Sequence, residues 1–177
     1  MHEHPLFARF YDRMISGSER AGLTELRRSL LGRASGRALE IGAGTGLNLG
    51  LYPPGLSELV LAEPDPHMAR QLRERVEGGA SAVDRVTVIE APAEELPFDE
   101  GSFDTVVSTL VLCSVDDPDR ALAEARRVLA EDGALIFLEH VRGGRALSWW
   151  QDRLERPWGA VAGGCHPNRP TGDLLAA

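Results

Sequence analysis

The segment Leu39-Glu40-Ile41-Gly42-Ala43-Gly44-Thr45-Gly46 constrains this chain more than any other stretch. An apolar run ends in three alternating glycines and passes into a short helical pattern, which reads as a strand, a tight turn and a helix start. Glycine there permits positive φ and lets a ligand approach where a Cβ would block it, and a helix start offers unpaired N–H groups. The segment therefore predicts a nucleotide cradle. It is not the dinucleotide form G-x-G-x-x-G, because Gly46 comes one position early and Leu47 stands where that form needs glycine. An ordinary glycine-rich turn without a ligand is the alternative.

Periodicity supplies the surroundings. Leu6, Phe7, Phe10, Tyr11 and Met14, then Leu23, Leu26, Leu30 and Leu31, predict two helices ahead of a first strand at 37–41. Pro53-Pro54 keep the helix after the glycine turn short. A second strand, 59–63, is apolar enough to be buried on both faces. It closes on Glu63, 21 residues beyond Gly42 (63 − 42), near the ~20 at which an acid accepts ribose hydroxyls. Asp65-Pro66 opens a helix as N-cap and first residue, with Met68, Leu72 and Val76 on one face and Gly78-Gly79 at its end. Met68 is either core or an adenine contact. A third strand at 86–90 is followed by a loop through Ala93 and Glu94, and a fourth strand spans 103–110. Asp116-Asp117-Pro118 caps a helix ending near Gly133, and a fifth strand spans 134–140. A last helix carries Leu147, Trp150, Leu154 and Trp158, is interrupted by Pro157, and is followed by Thr171 as a new N-cap.

Strands and helices alternating at these lengths predict an α/β fold with a parallel sheet and right-handed crossovers. The expected organisation is a single domain over 1–177: N-terminal helices to 34, a core over 35–142, and a Trp-rich segment over 143–177. Ligands collect at the carboxyl ends of such strands. The glycine turn, Glu63, the Ala93 loop, Cys113 and Glu139-His140 all fall there.

Composition narrows the partners. A net charge of -8, with arginines scattered among acids, speaks against nucleic acid. No apolar run approaches the ~20 residues needed to span a bilayer, and the start Met1-His2-Glu3-His4-Pro5 is no signal peptide, so the expectation is a cytoplasmic chain without an integral membrane segment. Cys113 and Cys165 make no disulfide framework and read as free thiols. Cys113, Cys165, His140 and His166 lack CxxC-type spacing, and no metal site is expected of them.

The form E-x-G-x-G-x-G from Glu40 to Gly46 resembles motif I of class I S-adenosylmethionine (SAM)-dependent methyltransferases. The resemblance implies their Rossmann-like, doubly wound sheet, normally seven strands in the order 3-2-1-4-5-7-6. Only five are read here, in the order 3-2-1-4-5, with strands 6 and 7 missing. It implies SAM held by Glu40, Gly42, Ala43, Gly44, Gly46, Asn48, Glu63, Pro64, Met68, Ala93, Glu94 and Leu110. Tyr11-Asp12 is similar to a pair these proteins carry on a lid helix. Pro92 stands where many have an Asp that binds the adenine amino group, which leaves that edge to the Ala93 backbone and Glu94.

Ser108-Thr109-Leu110-Val111-Leu112-Cys113-Ser114-Val115 is more specific. Together with Phe137-Leu138-Glu139-His140-Val141, Trp150-Gln151, Pro157-Trp158 and Gly164-Cys165, it resembles the thiol S-methyltransferase branch of the methyltransferase-like proteins. That implies methyl transfer to the sulfur of a small alkyl thiol or hydrogen sulfide. Two departures stand out: the animal members' apolar membrane-targeting start is not read here, and Glu131-Asp132-Gly133 replaces Pro-Gly-Gly. A thiol of pKa ~8.5 needs only modest activation. His140 is the candidate base, with a histidine bonded into structure as the alternative. Tyr11, Cys113, His166 and Arg169 are candidates on the acceptor side, Cys113 with simple packing as its rival. The competing functions are C- or N-methylation of a quinone, lipid headgroup or other small metabolite, and SAM binding without turnover. Absence of an Asn-Pro-Pro-Tyr type of motif speaks against methylation of nucleic-acid amines. With strand five at the sheet edge, a homodimer or cover by the Trp helix is expected.

Overall fold

In the computed structural model, which describes residues 5–140, 143–161, 165, 166, 168, 169, 171 and 172, five apolar segments pair in parallel. They are β1 Arg37–Ile41, β2 Glu58–Ala62, β3 Val86–Ile89, β4 Phe103–Thr109 and β5 Leu129–Leu138. Their order is β3-β2-β1-β4-β5, as the family resemblance implied. Successive side chains alternate between the two faces of the sheet. Leu59, Leu61 and Val107 join one buried cluster, while Leu39, Ile41, Val60 and Val106 join the other.

Each cluster recruits its own helices. On the first side lie Leu31 from α2 (Thr24–Leu31) and Leu72 from α3 (Pro66–Glu77); on the second lie Leu122, Ala125 and Val128 from α4 (Pro118–Val128). Burial of a Leu or Val side chain contributes about 1.5–3 kcal/mol, so these two layers carry the fold. Both crossover helices start as expected. The Asp65 carboxylate accepts from the His67 and Met68 N–H groups, that of Asp117 accepts from Arg120 N–H, and a proline opens each helix. Ahead of the sheet, α1 (Pro5–Ser18) meets α2 through a π-helical turn at Glu19–Leu23, where Gly22 has φ 118°.

Three expectations need correction. The glycine turn leads into no α-helix: one 3₁₀ turn, Leu49–Leu51, precedes Tyr52-Pro53, so the cradle gains nothing from a helix N-terminus. Helix α4 stops at Val128, not near Gly133, and β5 begins at once. Leu129 pairs with Phe103, and the register resumes at Ala134 against Thr105, so residues 130–133 bulge opposite Asp104 alone. Helix α5 (Arg145–Val161) runs on through Pro157. A proline there forfeits one i→i−4 bond, a loss that a helix of 17 residues carries.

Strand β5 ends the sheet order among the described residues, with Phe137 44% exposed. Trp149, Trp150 and Leu154 of α5 are at least half exposed, so they are not buried as a cover over it. Thr171 is buried at the start of a helical pair of described residues; the chain beyond Gly172 lies outside them, as do Val141, Gly164 and the side chains of Leu147, Pro157 and Trp158.

Candidate functional site

The glycine turn at the end of β1 is shaped by two different needs. At Gly42 (φ 59°) a Cβ would sit 2.7 Å from a Val111 methyl, so the loop after β4 can pass only because no side chain is there. At Gly44 (φ 58°) the nearest atom to such a Cβ is Met68 Sδ at 4.0 Å, so this position faces open space. The Gly44 N–H donates to Glu63 Oε2 (2.7 Å) and the Asp65 N–H to Glu63 Oε1 (2.9 Å). Each oxygen keeps a second lone pair. Burial pushes the Glu63 carboxyl up to about 7.

These groups line a cleft of about 1090 Å³, just above the ~300–1,000 Å³ usual for a small-molecule site. Gly42, Gly44, Glu63, Pro64, Met68, Ala93, Glu94 and Leu110 of the expected cofactor set lie on its wall. Phe7, Tyr11, Met14 and Ile15 of α1 form another wall. That helix is tied to the cradle: Thr45 Oγ1 donates to Asp12 Oδ1 (2.6 Å), Arg75 pairs with the other Asp12 oxygen, and Gln71 Nε2 donates to Ala8 O (2.9 Å). Burial raises the Tyr11 hydroxyl to about 12, which keeps it protonated.

Glu40, Ala43 and Asn48 line a small recess of about 20 Å³ that shares Tyr11, Gly42, Gly44 and Thr109 with the cleft wall, and 20 Å³ is room for a water molecule. Asn48 Nδ2 donates to Glu40 Oε1 (2.7 Å) and Thr109 Oγ1 (2.8 Å), and Tyr52 Oη to Glu40 Oε2 (2.7 Å). Arg27 Nη1 donates to Asn48 Oδ1 (2.8 Å), and its Nε lies 3.2 Å from Glu19. Burial pushes Glu40 up to about 7. Gly46 borders neither space; a Cβ there would meet a Leu72 methyl at 2.6 Å, so this glycine serves packing. Glu94, although on the cleft wall, accepts from the Asp116 (2.9 Å) and Asp117 (3.3 Å) N–H groups and so holds the start of α4.

Farther along the cleft a second group assembles. The Cys165 thiol donates to Cys113 Sγ at 3.3 Å and lies 3.9 Å from His140 Nδ1. Contact with Cys165, together with burial, holds the Cys113 thiol well above its ordinary range, while contact with Cys113 raises His140. The backbone around Cys113 is pinned from several sides. Glu139 accepts from Ser108 Oγ (2.6 Å) and from the Val111 (3.0 Å) and Leu112 (3.2 Å) N–H groups; His166 N–H donates to Cys113 O (2.7 Å). Leu110 enters this loop with φ 60°, a conformation that costs a branched side chain roughly 1–2 kcal/mol. Cys113, His140, Cys165 and His166 line the cleft. Arg169 does not: its Nη1 donates to Leu112 O (2.8 Å) and Val115 O (2.7 Å), which makes it a clamp on the loop.

The sequence reading overlooked Arg27, Tyr52 and Thr109. Arg27 sits in an apolar helical stripe with nothing to mark it. Tyr52 and Thr109 show no pattern, because their partners come from other segments.

The family profile described as "Methyltransferase domain" matches residues 39–137. The chain belongs to the methyltransferase domain family. This methyltransferase domain is 41% identical over 145 residues to the human thiol S-methyltransferase TMT1B, covering 78% of this chain and 58% of that protein. To human TMT1A it is 35% identical over 140 residues, 77% and 57% of the two chains. It thus spans little more than half the length of these relatives. A crystal structure of a SAM-dependent methyltransferase from Thermotoga maritima superposes with a TM-score of 0.70 at 30% identity, covering 96% of this chain and 77% of that one. The five-stranded sheet is therefore the Rossmann-like methyltransferase core, and the family's cofactor is SAM.

Proposed function

We propose that this chain transfers the methyl group of SAM to the sulfur of a small thiol. One observation carries the reading: a single cleft joins the Gly44–Glu63–Met68 group to the Cys113–His140–Cys165 group. The first group fits the adenosyl part of SAM. Gly44 leaves room for backbone approach, and Glu63, on the cleft wall, stands at the spacing of an acid that accepts ribose hydroxyls. Met68 and Ala93 then bound the adenine. Glu40 and Asn48 line the recess that adjoins the cleft at Gly42 and Gly44.

SAM supplies an already activated methyl on a sulfonium, so the protein's task is to hold the acceptor in line at ~3–3.5 Å and keep water out. Helix α1, with Tyr11, covers that side as a lid. Leu110 and the loop through Cys113 shape the acceptor end, with His166 at its border. His140 is the imidazole that receives the thiol's proton when no metal is held beside it. The names of the relatives support sulfur as the acceptor atom. No described helix is long and apolar enough to cross a membrane. A cytoplasmic setting, an acceptor other than nucleic acid and a second copy paired on β5 belong to the same proposal.

Calorimetric titration with SAM and S-adenosylhomocysteine tests the cofactor half; binding of neither would overturn it. A turnover assay with a small alkyl thiol, a quinol and phosphatidylethanolamine in parallel tests the acceptor. The expected product is the methyl thioether alone, and methylation of either other acceptor in its place would refute the thiol reading.

A further inference from the structure

Cys113, His140 and Cys165 come from three separate segments: the loop after β4, the end of β5 and the stretch beyond α5. Nothing in their spacing announces a site, yet one ligand atom from each lies within 4.8 Å of the others. In a tetrahedral zinc site, with Zn–S about 2.3 Å and Zn–N about 2.0 Å, two sulfurs sit about 3.8 Å apart and a sulfur and a nitrogen about 3.5 Å apart. The observed 3.3 Å between sulfurs and 3.9 Å from Cys165 Sγ to His140 Nδ1 differ from those values by about half an ångström.

The surroundings favour a fixed site. Both cysteines are buried, at 1% and 7% exposure, whereas His140 is exposed and leaves an entry path. The segment that carries Cys113 is already clamped by Glu139, His166 and Arg169. Two sulfurs and one imidazole, with no carboxylate oxygen among the ligands, select a borderline-soft ion over Mg²⁺ or Ca²⁺. All three side chains also line the cleft, so the remaining coordination position opens into it. Three protein ligands and one open position are the arrangement of a catalytic zinc rather than a structural one.

We propose that Cys113, His140 and Cys165 form a Zn²⁺ site whose open fourth position faces the acceptor end of the cleft. Its use in turnover rests on the thiol reading above. An acceptor thiol takes the open position as thiolate and releases its proton to solvent. Its sulfur lone pair forms the new S–CH₃ bond as the sulfonium C–S bond breaks, and that electron pair stays on the sulfur of S-adenosylhomocysteine. The neutral thioether is a weaker ligand than the thiolate and leaves.

The test uses the full chain, reduced and stripped with a chelator, titrated with Zn²⁺ against a chromophoric competitor and with Co²⁺ in the spectrometer. The expected results are one ion per chain and a thiolate-to-Co²⁺ charge-transfer band. Cys113→Ser and Cys165→Ser should each weaken zinc binding on the order of 100-fold, and His140→Ala roughly tenfold. Unchanged affinity of each variant for S-adenosylhomocysteine reports that it has folded, because that group lies elsewhere in the cleft. No stoichiometric zinc in the reduced protein, or a band that survives in the double serine variant, overturns the site. Zinc held without methyl thioether formed overturns the acceptor reading alone; methyl thioether formed by the zinc-free protein overturns the metal's use in turnover alone.

Discussion

The two ends of the cleft are built by opposite strategies. At the cofactor end a few neighbouring residues suffice: the Gly44 and Asp65 N–H groups meet on the one Glu63 carboxylate, at the tips of two adjacent strands. At the thiol end no segment is sufficient by itself. Cys113 reaches His140 and Cys165 only because β4 and β5 pair and the chain beyond α5 returns to the loop after β4. A cofactor shared across a large family can be served by a local motif. An acceptor that differs among relatives is better served by parts that vary independently.

The sharpest test of the local character of the first end is Gly44→Val. Open space around Gly44 leaves the fold room for a side chain, at roughly 1–2 kcal/mol for its left-handed backbone, but the branched group occupies the approach to the ligand. The expected loss of SAM and S-adenosylhomocysteine affinity is at least ~100-fold by calorimetry, about 2.7 kcal/mol. Gly42→Ala should behave differently, because its Cβ collides with Val111; thermal unfolding should register it before binding does. Retained affinity in Gly44→Val would mean that the ligand does not pass this turn.

Next in size is Glu63→Gln. The amide can accept from Gly44 or Asp65 but not from both, since its NH₂ then opposes the other N–H. Hydrogen bonds to a charged group are worth about 1.5–3 kcal/mol, so a loss of roughly 10- to 100-fold in cofactor affinity is expected. Unchanged affinity would remove Glu63 from the ribose site and leave it as a turn brace.

This division explains what could be read from the chain itself. The strands themselves, both proline-opened helices and the Gly42–Glu63 relation rest on interactions within a turn or between neighbouring segments, and such interactions leave a period or a spacing behind; the strand order was implied by the family resemblance. Residues 130–133 did not reveal their bulge, because it depends on how β4 pairs with β5. The family resemblance implies Glu40 and Asn48 as cofactor residues, but no pattern announces the network that bonds them to Arg27, Tyr52 and Thr109. Arg169 was expected to meet substrate and instead clamps two carbonyls. Cys113, His140 and Cys165 carry no CxxC-type spacing, a signal that arises when such residues share one loop and is lost when three segments converge.

Arg169→Ala probes whether the ends are as separate as their construction suggests. Loss of its bonds to Leu112 O and Val115 O loosens the loop that carries Cys113, 57 and 54 residues away in the chain. KM for the thiol should rise roughly tenfold, the equivalent of one charged hydrogen bond, while S-adenosylhomocysteine affinity stays constant. An equal fall in both would show that the loop couples the two ends.

The last prediction is a pH slope in stability, and it sits beside the cofactor end. Glu40 in the folded chain holds its proton up to about 7, against 4.5 as its ordinary value, because burial disfavours the charge. Between those values the folded chain carries a proton that the unfolded chain has lost. Stability therefore falls as pH rises through 4.5 to 7, by up to roughly 1.4 kcal/mol per unit, and levels off above. Glu63, also raised to about 7, acts in the same direction. Thermal unfolding of the ligand-free protein should accordingly occur at a higher temperature at pH 5.5 than at pH 8. In Glu40→Gln the amide oxygen can still accept from Asn48, and its NH₂ can donate to the Tyr52 hydroxyl, which reverses its own role. That variant should keep its stability at pH 5.5 and lose part of the slope, leaving the share that belongs to Glu63. Parallel curves for the two proteins would show that Glu40 remains charged in the fold, with the recess beside it holding the water that solvates it.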